Sequence, residues 1–247
     1  MQRKLFVIYD VHKEVDIISQ RMGLTQENLQ SIRRYVSREN KPRDVQRVEK
    51  EIDAFFDSIE DRLLGAGIKQ VYQDGFFIDT KRLASEYPEK YQRLIADIRA
   101  SAELGSRSSG LVMKLYDQGA SLEKTEDFEL VCEEAELHSK LAELARIRET
   151  LPLSEISKEQ EEHLLQLIER VAYLQDTQPE RARKRDQVIT QNINSGLRRT
   201  GLLTIGAMHY GISQYLAGDI GQVELMPEKL VIERRVNMFG VSEPVVQ

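Results

Sequence analysis

Four short stretches hold the side chains that could move protons or bind an ion. In "GLLTIGAMHYG", His209 stands three residues after Gly206, where the apolar run Leu202 to Ile205 ends. In "LFVIYDVH", His12 follows a similar run. "RKRDQVITQN" sets Arg185 beside Asp186, and "KTED" sets Glu126 beside Asp127. An imidazole titrates near neutral pH and serves as a general acid or base, or as a metal ligand. A carboxylate beside it can act as a base, an orienting partner or a hard ligand, and an arginine can stabilise developing negative charge. Each of these residues also has a plain structural reading: a packed core histidine, or a structural ion pair of Arg185 and Asp186.

The elements around these residues follow from hydrophobic spacing. "KLFVIYDV" is short, β-branched and aromatic, a buried opening strand. Helical spacing runs through Leu29, Ile32 and Val36, then through Val45, Val48, Ile52, Phe56, Ile59 and Leu63, ending at Gly65 and Gly67. "IKQVYQDGFFID" is a second strand region with a tight turn at Asp74-Gly75. A helical stretch from about 80 to 104 precedes the Gly/Ser loop "LGSRSSG", and another helix stops at Gly119. "ASLEKTED" is extended, with Thr125 as the N-cap of the following helix and Glu126 and Asp127 in its first turn. Helix then dominates to about Arg199, broken at Pro152 and near Pro179. Leu202–Ile205 is a strand, a loop or short helix surrounds Tyr215, and "QVELM" and "KLVIERR" are two further candidate strands.

Strands near both ends with helices between them predict an α/β fold. Residues 1–247 form a single domain in this reading, around a central, mainly parallel sheet built from N- and C-terminal strands. The helix-rich segment of about 126–199 is a large helical insertion packed on the sheet. In an open sheet of this kind, sites gather beyond the carboxyl ends of the strands, where His12 and His209 both fall. The helix "RDQVITQNINSGLRR" strengthens the case. Ile189, Ile193 and Leu197 form its apolar stripe, and Asp186, three residues before Ile189, lies on that stripe with Arg185 and Asn192 at its edge. A carboxylate there must be paired or must face a polar cleft, because an unpaired buried charge costs several kcal/mol. Gly206 would let the backbone turn tightly or let a ligand approach closely.

Bulk properties exclude several classes. With 31% charged residues and a formal net charge of −6, a general nucleic-acid surface is not expected. The single cysteine, Cys132, rules out an internal disulfide, fits a reducing compartment and reads as a buried small apolar residue. The run Leu5 to Tyr9 is too short for a signal peptide, and no segment approaches the roughly 20 apolar residues of a membrane span. A cytoplasmic protein without membrane attachment is the expectation. His138 and His163 lie in helical runs rich in Glu and Lys and read as surface residues.

"GAMH", Gly206 to His209, together with the upstream "RDQVITQN" helix, resembles the erythromycin-esterase-like, TraB/Tiki and ChaN superfamily. That resemblance implies strand-terminal histidines and acidic residues around a shared cleft. Some members are hydrolases or metal-dependent proteases, and some bind haem. Arg185, Asp186 and Asn192 are similar to the Arg-Asp helix of the esterase branch, and His209 to its second histidine. His12 would be the first histidine, although Tyr9 stands where that branch prefers glycine, and Glu126 would be the paired acid.

The resulting expectation is a hydrolase acting on a small-molecule or peptide ligand. His12 and His209 handle protons or, with Glu126, hold a divalent metal ion. Arg185 and Asp186 orient the cleft or stabilise charge, and Gly206 leaves room for the ligand. The alternatives are a non-enzymatic ligand-binding or regulatory protein on the same fold, and an assembly partner whose long helices form a homo-oligomer.

Overall fold

The computed structural model describes residues 2–10, 42–150, 157–206, 209 and 211–230. His12, the helical pattern at Leu29 to Val36, Pro152 and most of "KLVIERR" lie outside these residues.

The sheet is open, five-stranded and parallel at every pairing. Its strands are β1 (Arg3–Asp10), β2 (Gln70–Gln73), β3 (Ser121–Glu123), β4 (Thr200–Gly206) and β5 (Ile220–Leu225), in the order β3-β2-β4-β1-β5. N- and C-terminal strands therefore share one sheet, as the sequence predicts. β1 and β4 sit side by side at its centre and are apolar on both faces, as strands covered by helices on two sides must be. Strand β5, at one edge, starts at buried Ile220 and then alternates half-buried and exposed positions.

Seven α-helices are described: α1 (Pro42–Leu64), α2 (Thr80–Glu86), α3 (Pro88–Glu103), α4 (Arg107–Asp117), α5 (Phe128–Thr150), α6 (Lys158–Asp176) and α7 (Gln178–Gly196). Pro88 at the start of α3 divides the single helix expected over 80–104 into two. The expected Gly/Ser loop is shorter than "LGSRSSG" suggests, because α4 already begins at Arg107. Ser106 caps it by accepting a hydrogen bond from Ser109 N–H, and Gly105, at φ 102°, makes the turn. Thr125 is not a helix cap. It is fully buried, and its hydroxyl accepts the N–H of Gln73, tying the β3 extension to the end of β2.

α7 is the helix that connects the insertion to the sheet. Ile189, Ile193 and Leu197 join the main core with Leu5, Leu202 and Tyr72, each apolar side chain contributing about 1.5–3 kcal/mol by leaving water. α5 and α6 pair through a separate small cluster of Leu137, Val171 and Leu174. Cys132, expected inside, is exposed on α5. Among the described residues no helix is long and apolar enough to cross a membrane.

Candidate functional site

The register places the candidate residues. Asp10, the last residue of β1, pairs with Gly206, the last of β4, and Gln73 ends β2 opposite Thr204. Asp74 continues that line: its N–H donates to Thr204 O at 2.8 Å, and Gly75 turns the chain at φ 74°. The carboxyl ends of β1, β4 and β2 thus stand together, and the N-terminal half of α7 overlies them with Arg185 and Asp186.

Arg185 is the hub of a buried charge cluster. Its Nε donates to Glu126 Oε2 at 2.5 Å, and its Nη2 donates to Glu126 Oε1 at 2.9 Å and to Asp74 Oδ1 at 2.8 Å. The fork-on-carboxylate geometry is the strong form of this pair. Glu126 has no exposed surface, and its Oε1 also accepts Gly75 N–H at 2.6 Å. Burial raises the Glu126 pKa above the ordinary carboxylate value; Arg185 opposes that rise and the neighbouring Asp74 adds to it. Asp74 Oδ2 accepts the N–H of Gly206 at 3.0 Å. Asn192, two turns along α7, donates to Thr125 O at 2.9 Å and so holds the segment that carries Glu126.

His209 and Asp186 form the second half. The His209 ring is 5% exposed, and its Nδ1 hydrogen-bonds Asp186 Oδ1. Burial by itself would lower the imidazole pKa. The hydrogen bond to Asp186 and the charges of Asp74 and Asp186 outweigh burial and the repulsion of Arg185, so the ring holds its proton more tightly than a free histidine. The apolar stripe of α7 therefore carries its carboxylate because an imidazole meets it. With Nδ1 bonded to Asp186, any proton exchange with a further partner would use Nε2.

The structure brings His209, Asp186, Arg185, Glu126 and Gly206 to one end of the sheet, and His12 lies outside the described residues. Gly206 ends β4 with its backbone N–H on a carboxylate, whereas the positive-φ glycines among the described residues are Gly67, Gly75, Gly105, Gly119 and Gly211. His163 is exposed beside Glu143, and the side chain of His138 lies outside the described set. Two acids gain importance here. Asp74 reads in the sequence as a turn residue only, yet it joins Arg185 to Gly206. Asp10 is 3% exposed at the end of β1, and its one sequence signal is a carboxylate closing an apolar run.

Of the expected metal set, Glu126 and His209 are already engaged within the protein and His12 lies outside the described residues. Both Glu126 oxygens are committed to Arg185, and Nδ1 of His209 to Asp186. Among the described residues no group of three or more His, Cys, Asp or Glu side chains could hold an ion. No protein-family model, curated protein or solved structure matches the chain.

Proposed function

We propose that the protein is a hydrolase whose proton-transfer group is His209, oriented by Asp186, acting on a small-molecule or peptide ligand at the carboxyl ends of the strands. The observation that carries this reading is the buried His209–Asp186 hydrogen bond, which fixes the ring and assigns Nδ1 to the carboxylate. In the proposed reaction, which runs from the neutral ring and so gains as pH rises through the raised His209 value, Nε2 accepts a proton from water as the water oxygen adds to the electrophilic centre of the ligand. The same proton then passes to the leaving group as the scissile bond breaks. Asp186 stabilises the imidazolium between the two steps, as the carboxylate of a catalytic triad does. Arg185, clamped by Glu126 and Asp74, is a positioning residue that holds α7, and with it Asp186, over the strand ends. The similarity of Gly206–His209 and of Arg185, Asp186 and Asn192 to the erythromycin-esterase-like and TraB/Tiki group supports the same reading.

Turnover of a panel of carboxylic esters, lactones, peptides and phosphate esters tests it. Hydrolysis of one class that falls by about 10²-fold or more in His209→Ala is expected. A panel left untouched by the wild-type protein, or cleaved equally well by His209→Ala, would overturn it.

A further inference from the structure

Tyr9 is the residue at which the chain departs from the pattern it resembles, and its surroundings give the large side chain a place. It is fully buried on β1, and its hydroxyl donates to Glu224 Oε1 of the neighbouring strand β5 at 3.2 Å. Ser213 Oγ, on the 3₁₀ helix Ile212–Tyr215, donates to the same Glu224 oxygen. The backbone of Gly211 also hydrogen-bonds the phenol oxygen. Gly211 itself sits at φ 96°, a conformation that suits glycine, at the start of that 3₁₀ helix.

The far end of the same loop is held from α7. Asn194 Oδ1 accepts Ala217 N–H at 2.8 Å, and Asn194 Nδ2 reaches Tyr215 O at 3.4 Å. His209 and residues 211–217 are thereby held by Asp186 and Asn194 of α7 and by Tyr9 and Glu224 of the sheet. Ile212 and Leu216 sink into the main core and fix the segment against the sheet, and the hydrogen bonds add the direction that packing alone does not give to the imidazole.

We infer that Tyr9, through Glu224 and Ser213, is a positioning residue for His209: its hydroxyl anchors the loop so that the imidazole meets Asp186. The inference rests on the functional reading above only for its effect on turnover; its effect on the His209–Asp186 hydrogen bond stands independently. Burial pushes the Tyr9 phenol up to about 12, so it remains a donor through the neutral and mildly alkaline range.

Proton NMR of the full chain tests this on the exchange-protected, downfield imidazole N–H that a buried His–Asp hydrogen bond produces. In wild type that resonance is present, and Asp186→Asn assigns it by abolishing it. Tyr9→Phe and Ser213→Ala are expected to move it upfield and to speed its exchange by about tenfold or more, the loss of one net hydrogen bond on the loop. Glu224→Gln, which keeps Oε1 as an acceptor for both hydroxyls, is expected to retain the resonance. Ser213 is only half-buried and its side chain is small, so Ser213→Ala reports on the anchor even where Tyr9→Phe unfolds. An unchanged resonance in Tyr9→Phe, or in Ser213→Ala where Tyr9→Phe does not fold, overturns the inference, even where the melting temperature falls. A protein that shows the resonance and its sensitivity to Tyr9 but hydrolyses nothing would refute the hydrolase reading and leave the anchor standing.

Discussion

His209 and Asp186, 23 residues apart, meet through a side-chain hydrogen bond that joins the chain beyond β4 to the core-facing stripe of α7. Neither residue is placed by its own element alone. Asp186 needs a partner because its helix faces the core, and His209 needs one because its ring is buried. Each supplies what the other lacks.

Asp186→Asn is expected to cost about 1–3 kcal/mol of stability, the penalty of leaving a buried partner poorly satisfied. That exceeds the ±0.5 kcal/mol or so of an ordinary surface change. Chemical denaturation of the two proteins under one buffer checks it, and identical midpoints would make the pair energetically idle.

Arg185→Ala should be the more damaging change. It strands Glu126, which has no exposed surface, beside Asp74, and breaking a buried pair costs about 3–5 kcal/mol. Arg185→Lys should recover only part of this, because an ammonium cannot reproduce the fork on Glu126. A double-mutant cycle with Glu126→Gln would show strong coupling between the two sites; simple additivity would mean they act separately.

The raised pKa of His209 sets a direction for stability against pH. The folded state binds the proton more tightly than the unfolded chain, so the pair contributes fully below the ordinary value of 6.5 and loses that contribution as pH rises through the raised folded value. Glu126, also raised, has the same sign, with its window opening above 4.5. Melting temperature should therefore decline as pH rises above about 6.5, and Asp186→Asn should flatten the decline. A melting temperature that instead climbs over that range would contradict the assignment.

Gly206→Val places a branched side chain at the buried end of β4, between Asp10 and the Asp74 carboxylate that holds the Gly206 N–H. The variant is expected to fold with about 1–3 kcal/mol less stability. Turnover should fall by about 10²-fold through displacement of the loop to His209. His209→Ala should lose the same activity at a smaller cost in melting temperature. A Gly206→Val protein equal to wild type in both assays would reduce the glycine to scaffold.

Dialysis against a chelator is expected to leave the melting temperature unchanged, since the Glu126 carboxylate is already bound by Arg185 and Gly75. Elemental analysis of protein prepared without an affinity metal checks this. A stoichiometric transition metal whose removal lowers the melting temperature would mean that Glu126 exchanges its arginine for an ion.

Local pattern determined a good part of the molecule. Strands β1 and β4 were legible because β-branched and aromatic runs bounded by charge leave little choice of structure, and the stripe Ile189, Ile193 and Leu197 because helical spacing survives any context. The same stripe singled out Asp186 as a carboxylate in need of a partner. What tertiary structure alone decided was the partner's identity and the role of residues whose local signals pointed elsewhere. Thr125 looked like a cap and is a tie to β2; Asp74 looked like a turn residue and is also a charge partner; Cys132 looked buried and is exposed. The first two outcomes depend on which strands lie side by side, and the third on which face α5 turns toward α6. The order β3-β2-β4-β1-β5 brings together chain ends more than a hundred residues apart, and no local periodicity encodes a hydrogen bond between Arg185 and Asp74. Spacing along the chain sets which face a side chain takes, and only the packing of whole elements sets what it meets there.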